Sequence, residues 1–323
     1  MSAKTNRDTS KRFRVVPQEQ GMTLRNLVMR RVGELNRDSS AKLIRAGGVY
    51  VNRLRVRLPQ VLVAAGERVT VYLEALEAKP LEPEQLRFVH RDPSFVVLDK
   101  PAGVPVAAVR ETAVGSLSEA LIHQLEREGI TRPYVGLVHR LDRGASGLVL
   151  FTVRSVANKS IHKQFTEHTI KRGYRILARP REGLELAEHI ECDAPIIKLR
   201  EGVEIGGPKD GRSKPARSRF HKLAERAREA GGLDVLLDVE IETGRTHQIR
   251  AHAAHLGFPV VGDRRYGGEG ASSGEQGEQG EHERLHLHAR SLSFTHPRTG
   301  EALSFESQLP EWAALSRALL DSR

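Results

Sequence analysis

Two polar segments of the sequence carry the residue types that chemistry needs. The first is His139-Arg140-Leu141-Asp142-Arg143-Gly144-Ala145-Ser146-Gly147, set between two apolar stretches. A polar loop at strand ends is a common seat for a reactive group. Asp142 stands between Arg140 and Arg143, whose charges favour its ionised form if they lie close. An ionised, shielded carboxylate can act as nucleophile or general base. The same spacing also fits a structural Asp–Arg pair in a turn. The second segment is Glu242-Thr243-Gly244-Arg245-Thr246-His247-Gln248-Ile249-Arg250-Ala251-His252. Its two guanidinium forks, Arg245 and Arg250, suit bidentate recognition of carboxylate or phosphate. It reads as a phosphate clamp, as the partner of a catalytic carboxylate, or as ordinary polar residues opening a helix.

Other candidates carry less. His247, His252 and His255 lack the spacing that sets two zinc ligands on one helix face, and no nearby carboxylate completes them. His282, His286 and His288 do no better. The glycine-rich stretch 206–214 misses the phosphate-loop spacing and has no clear strand–helix context. Neither a metal nor a cofactor is expected. Cys192 is the single cysteine, which excludes a disulfide framework and a multi-cysteine zinc site. It reads as an ordinary half-buried thiol.

The elements that must position these segments can be read from periodicity. Apolar residues from Leu24 to Leu35 recur at three- and four-residue spacing, which predicts a helix. Ser39 or Ser40 can cap a second helix over 41–46, ended by Gly47-Gly48. Short strands are expected at 49–52 and 69–73, at 95–98, and at 135–138 and 147–152 on either side of the Asp142 loop. Further strands are expected at 174–178 and 235–241. Helices are expected at 116–128, with a serine cap, and at 155–168. Residues 75–86 are acidic, carry two prolines and read as a linker. Residues 267–283 form an imperfect Gly-Glu-Gln repeat, expected to be a flexible surface loop.

Charge separates the two ends of the chain. The formal excess is +10 over 323 residues. Residues 1–73 hold fifteen basic side chains against five acidic ones, which accounts for all of it. A basic lobe beside a neutral one suggests a polyanion-binding module joined to something else. No run approaches the roughly 18 apolar residues of a membrane span. Residues 1–14 have no secretory apolar core and read as a disordered basic arm. A cytoplasmic protein with no membrane partner is expected.

Taken together, the polar segments resemble those of RluA-type RNA pseudouridine synthases. The Asp142 loop resembles that family's signature loop. Val96-Val97-Leu98-Asp99-Lys100-Pro101-Ala102-Gly103 is similar to its early strand and turn, and Ile170-Lys171-Arg172-Gly173-Tyr174 to its basic-x-Tyr segment. Lys214-Pro215-Ala216-Arg217-Ser218, the Gly244–His252 stretch, Gly262-Asp263-Arg264-Arg265-Tyr266-Gly267, and two C-terminal segments at 287–289 and 296–300 follow in the family's order. The match runs from about Phe88 to Leu309. Residues 23–73, with Gly47-Gly48-Val49-Tyr50-Val51-Asn52, resemble the alpha-L RNA-binding module of a small-subunit ribosomal protein.

The resemblance implies an α+β fold. A catalytic domain over 87–323, with a mixed, largely antiparallel sheet flanked by helices and loops, would follow an alpha-L domain over 15–74. It implies isomerisation of uridine to pseudouridine in structured RNA, with neither redox step nor metal. Large-subunit ribosomal RNA is the expected substrate and transfer RNA the alternative. A non-catalytic RNA-binding or ribosome-assembly protein is the alternative class, against which the presence of Asp142, Tyr174 and Arg250 argues. A metal-dependent RNA hydrolase would need a clustered carboxylate pair, which the sequence lacks. By resemblance Asp142 is the catalytic carboxylate, Tyr174 stacks on the target base and Arg250 pairs with the aspartate. Arg140, Arg172, Arg245 and His247 would bind substrate, and Arg45, Asn52, Arg53 and Arg55 would dock RNA. A monomer is expected.

Overall fold

A computed structural model of the chain describes residues 10–76, 79–109, 112–199, 202–207, 210–228, 231–267 and 284–315. Two compact units result. One holds Met1–Leu86 with Pro105–Pro133, the other Arg87–Val104 with Tyr134–Arg323. The first unit therefore claims residues 105–133, which the sequence reading gave to the catalytic domain.

In the first unit a four-stranded sheet, ordered β1-β4-β2-β3, packs on two helices. Its elements are β1 (Lys11–Arg14), α1 (Leu24–Arg31), α2 (Arg37–Arg45), β2 (Val49–Val51), β3 (Leu54–Val56) and β4 (Arg68–Val71). Leu24, Leu27 and Val28 of α1 meet Leu43 and Ile44 of α2 in one apolar cluster with Val49, Val69 and Val71. The expected basic arm is corrected in part: Lys11–Arg14 pairs antiparallel with β4. Residues 1–9 lie outside the described residues. The second helix begins four residues earlier than its serines suggested. Asn36 caps it, accepting from the backbone N–H of Asp38 and Ser39 at 3.0 and 2.9 Å. An amide cap does the same work as a serine one, and sequence alone does not rank the two.

The expected linker also packs. Leu73–Leu76 is a short 3-10 helix whose Ala75 is buried in the same cluster, and Pro83–Gln85 is another. Residues 105–133 carry α3 (Leu117–Arg127), capped as expected by Ser116. Ala113 N–H donates to the Ala46 carbonyl at 2.8 Å, and Arg127 pairs with Glu84.

The second unit is built on a ten-stranded sheet. Its elements are β5 (Phe88–Arg91), β6 (Phe95–Lys100), β7 (Gly136–Leu137), β8 (Ser146–Thr152), α4 (Ser155–Thr166), β9 (Lys171–Ala178), β10 (His189–Cys192), β11 (Ile196–Lys198), β12 (Val203–Ile205), β13 (Ser218–Ala227), β14 (Leu233–Ile241), α5 (Gln248–His255), β15 (Leu287–Thr295) and β16 (Ala302–Glu306). The order is β10-β13-β14-β9-β15-β8-β6-β5, with β7 beside β8 and β16 beside β15. Every pairing is antiparallel except β15 with β8. The α+β class and the mixed, largely antiparallel sheet are as expected. Strands β11 and β12 form a separate hairpin. Among the described residues no helix is long and apolar enough to cross a membrane.

β8 reads as an unbroken apolar run because Gly147–Thr152 are all buried in mid-sheet. Helix α4 covers one face, with Ile161 against Phe95, Val97, Leu148 and Leu150. The second residue of the strand, Gly147, has a φ of +103°. A Cβ there would lie 2.2 Å from the Ala289 carbonyl oxygen of β15. Only glycine lets the two strands meet at this point, next to the Asp142 loop. Gly147→Ala should lower the unfolding free energy by about 3 kcal/mol or more, measured by urea denaturation.

Candidate active site

Asp142 lies in the loop between β7 and β8 and keeps 19% of its side chain exposed. Both sides of its loop are fixed. Upstream, His139 Nε2 accepts the Leu150 N–H at 2.9 Å and its ring stacks on Phe165 of α4. Burial, reinforced by the Arg172 charge, pushes this imidazole down to about 3, so it is a neutral wedge. Downstream, Lys100 at the end of β6 is 1% exposed and donates to the carbonyls of Pro101, Val104 and Arg143 at 2.9, 2.8 and 3.2 Å. Burial lowers its pKa to about 8, with the Asp142 charge acting in the other direction. All three ammonium protons go to backbone, so the lysine ties the turn after Asp142 to the turn after β6. Arg143 adds Nε to the Gly103 carbonyl at 2.8 Å.

The charge that faces Asp142 comes from α5. Arg250 Nη1 donates to Asp142 Oδ2 at 2.8 Å. This is the pairing the resemblance implied, and the flanking arginines are not the shield that their spacing allowed. Arg140 is exposed, and Arg143 is turned to Gly103. The remaining edge of Arg250 is a bidentate fork, with Nε to Asp263 Oδ2 at 2.7 Å and Nη2 to Asp263 Oδ1 at 2.8 Å. Asp263 is 2% exposed and also accepts the N–H groups of Arg265 and Tyr266. Burial works against its ionisation, but the Arg250 hydrogen bonds and charge, with these two amides, outweigh it and hold the carboxyl below the usual range. The guanidinium also lies over the Tyr266 ring at 5.2 Å.

Helix α5 is aimed by its first residues. His247, just before it, has φ +52°, a left-handed conformation uncommon outside glycine and asparagine. Gln248 is buried and fully bonded. Its Oε1 accepts from Thr243 Oγ1 and Arg245 N–H, and its Nε2 donates to the Arg217 carbonyl and Ser218 Oγ. One turn later His252 bridges Ser218 Oγ and the Ala194 carbonyl at 3.0 and 2.9 Å. With those anchors set, the helix turn carries Arg250 to Asp142. His247, His252 and His255 do not converge. His247 Nε2 is 3.7 Å from Asp142 Oδ1, His252 is in the core and His255 is exposed.

Tyr174 and Arg172 share one face of β9 by strand alternation. Tyr174 is buried, which raises its phenol pKa; the Arg172 charge opposes this and the Asp142 charge adds to it. Arg172 is 9% exposed, lies over the Phe165 ring and donates to the Glu242 carbonyl at 3.3 Å. Its Nε has no partner among the described residues. A Cβ on Gly244 would fall 2.6 Å from its Nη1, so that glycine leaves room for the guanidinium. Arg245 is elsewhere, donating to the Pro215 carbonyl at 2.9 Å.

This arrangement is a lone, partly exposed carboxylate on a locked guanidinium, with a buried tyrosine and a half-satisfied arginine alongside. The sequence matches the RNA pseudouridylate synthase family over residues 94–255. The chain belongs to that family. An "Uncharacterized RNA pseudouridine synthase" of Aquifex aeolicus (strain VF5) is 31% identical over 306 residues, covering 93% of each chain. "Ribosomal large subunit pseudouridine synthase C" of Yersinia pestis is 32% identical over 321 residues, covering 95% of this chain and 94% of that one. The fold resembles that of the human RNA Pseudouridylate Synthase Domain Containing 1 structure, with TM-score 0.55 and 24% identity over 72% of this chain and 86% of that one. The chain is an enzyme of RNA, an RNA pseudouridine synthase.

Within this synthase, sequence reasoning assigned no role to Lys100, Asp263 or Tyr266. A signal for Asp263 was present. Arg250 has more donors than one carboxylate can take while staying reactive, so a second carboxylate was owed, and Asp263 lies thirteen residues on.

Removing the Asp263 charge leaves Arg250 buried with half its fork empty. Asp263→Asn should cost about 3 kcal/mol of stability at neutral pH. The folded pKa of Asp263 lies below its unfolded value of about 3.9, so its contribution is complete above that value and fades as pH falls through the folded pKa. Denaturation of wild type and variant should therefore converge below about pH 4.

Proposed function

We propose that the chain isomerises specific uridines in large-subunit ribosomal RNA, with Asp142 as the catalytic carboxylate. The observation that carries this is the Arg250 bridge, which binds one oxygen of a partly exposed Asp142 and leaves the other with only His247 Nε2 near it, at 3.7 Å. The glycosidic bond breaks and uracil leaves with the electron pair on N1. Asp142 then either bonds to the ribose carbon C1′ or takes the C2′ proton. The base turns and C5 bonds to C1′, as the Asp142–C1′ bond breaks in the first case or as Asp142 returns the proton to C2′ in the second; the C5 proton is lost and N1 gains one. The product is an isomer, so atoms balance without oxidant or co-substrate.

Tyr174 is read as the platform for the target base, which must leave the helical stack to reach Asp142. Arg172, a buried cation with an unpartnered Nε, is read as a phosphate or base contact. Arg140 and Arg245 are read as backbone contacts, and His247 as a contact at the carboxylate. The ribosomal substrate is supported by the name of the Yersinia pestis relative, which spans nearly the whole chain. Transfer RNA is the alternative.

The first unit is read as the RNA-docking module. Met22, Arg25, Asn26, Met29, Arg30 and Arg37 line one depression on α1 and its neighbours, a cationic surface with an apolar floor. Arg45 and Arg53 are exposed. Asn52 and Arg53 both have positive φ and form the two-residue turn between β2 and β3, where Asn52 spends its amide on Glu67 and Arg68. Arg55 donates to Tyr50 at 2.9 Å and to the Val109 carbonyl, so its first task is structural.

Asp142→Asn should abolish pseudouridine formation in transcribed 23S-type RNA, read by site-resolved mapping. Arg250→Lys keeps the charge but cannot bridge two carboxylates, and should cut the single-turnover rate about 10²-fold or more. Full activity in either variant would remove Asp142 or Arg250 from the chemistry. Arg25, Arg30 and Arg37 changed together to Ala should weaken RNA binding and lower the slope of log K against log salt by about 2 to 3. An unchanged slope would move the docking surface elsewhere.

A further inference from the structure

We propose that Tyr266 sets the tautomer of His247, so that an uncharged N–H faces the free oxygen of Asp142. Tyr266 is thereby a positioning residue for the carboxylate. The inference rests on the reading of Asp142 as catalytic.

The argument is a count of protons. The Tyr266 hydroxyl has two partners among the described residues. Val203 N–H lies 3.0 Å away, and His247 Nδ1 lies 2.9 Å away. A backbone amide can only donate, so the hydroxyl accepts from Val203. The hydroxyl keeps one proton, and the pairing in which His247 Nδ1 accepts it is also the one that turns Nε2–H, and not a lone pair, toward the Asp142 carboxylate. His247 is held neutral: burial, together with the Arg250 and Arg265 charges, outweighs the opposing pull of Asp142 and Asp263. A neutral imidazole whose Nδ1 accepts carries its proton on Nε2. Nε2 is the atom 3.7 Å from Asp142 Oδ1.

The two oxygens of Asp142 therefore differ. Oδ2 is in the ion pair with Arg250, and Oδ1 looks toward a weak, neutral donor just beyond hydrogen-bond distance. Such a donor can orient Oδ1 without drawing off its charge, and apo contacts of this kind shorten when substrate closes the site. The opposite tautomer would point a lone pair at a carboxylate.

Several features of the fold hold this contact in place. The β11–β12 hairpin supplies Val203, and Val203 with Ile196, Ala216 and Ala251 forms the apolar cluster against which Tyr266 packs. Gly202 has φ +82°, and a Cβ there would stand 3.0 Å from the Tyr266 oxygen. His247 holds a left-handed backbone conformation that costs a histidine energy, and persists where surrounding contacts fix it.

The test uses the full-length enzyme and two readouts. Nitrogen-15 imidazole shifts report which ring nitrogen holds the proton. Wild type should show the proton on Nε2, and Tyr266→Phe should move it toward Nδ1, a change that loss of packing alone would not produce. Tyr266→Phe should slow single-turnover pseudouridine formation about 10- to 100-fold with little change in RNA affinity. His247→Gln places an amide N–H near the Nε2 position without need of the phenol. It should recover more activity than His247→Ala, and in its background Tyr266→Phe should cost less than threefold. A wild-type proton on Nδ1, or equal losses from Tyr266→Phe in both backgrounds, overturns the proposal. If the shifts are as expected but Asp142→Asn retains full activity, the catalytic reading of Asp142 fails and the tautomer assignment stands.

Discussion

Arg250 points three N–H groups at two carboxylates, and the rest of the second unit is arranged around that fact. One carboxylate, Asp263, is buried and takes the bidentate edge. The other, Asp142, is partly open and takes a single nitrogen. A guanidinium this buried needs an anion that never leaves, because an unpaired charge in the core costs several kcal/mol. Asp263 is that permanent anion. Asp142 can therefore change its charge or its bonding while Arg250 stays in place. A lone Asp–Arg pair would not allow this, since reaction at the aspartate would strip the arginine of its counterion.

The surrounding elements exist to keep the bridge in register. Asp142 and Arg250 are 108 residues apart in sequence and come from opposite sides of the sheet order. Lys100 and His139 immobilise the loop on one side, and Gln248 and His252 immobilise the helix on the other. Both groups of anchors bind backbone carbonyls or amides far more than they bind each other. Backbone is the right target, since its position is set by the sheet and does not depend on side-chain rotamers. Two of the four anchors are neutral histidine rings, and the Lys100 ammonium is spent on carbonyls. The positive charge that meets Asp142 is left to Arg250, with Arg172 alongside.

Much of this was legible in the residues. The apolar run of β8 and the helical period of α4 survive as read, because both are buried elements whose patterns are set by local geometry. The Asp142 loop and the Arg250 helix were recognised as the two chemical segments before their meeting was visible. Spacing alone favoured Arg140 and Arg143 as the partners of Asp142, whereas the family resemblance pointed to Arg250, and it is Arg250 that reaches the carboxylate. Residues 105–133 have the composition of any amphipathic helix and loop, and it is contacts such as Ala113 to Ala46 and Arg127 to Glu84 that group them with the first unit. Lys11–Arg14 looked like a disordered arm because three cations and one aromatic carry little apolar signal. Its pairing with Arg68–Val71 supplies what the pattern lacks.

The net charge of the chain also takes on a physical meaning at this scale. Outside residues 1–73 basic and acidic residues balance, and in the site they balance one against another: Asp263 against Arg250, with Asp142 as the variable term. A polyanionic substrate entering such a site meets little long-range attraction. On the proposed docking role, what would attract it is the excess held in residues 1–73, where Arg45 and Arg53 among others are exposed. Keeping the two apart has a consequence for specificity. A strongly positive active site would hold any phosphate near Asp142, whereas a balanced one, on the roles proposed for Arg172 and Tyr174, would hold only a nucleotide that also satisfies the one and stacks on the other. On that reading docking would be strong and general while the chemistry stays selective, because the two would draw on different charges.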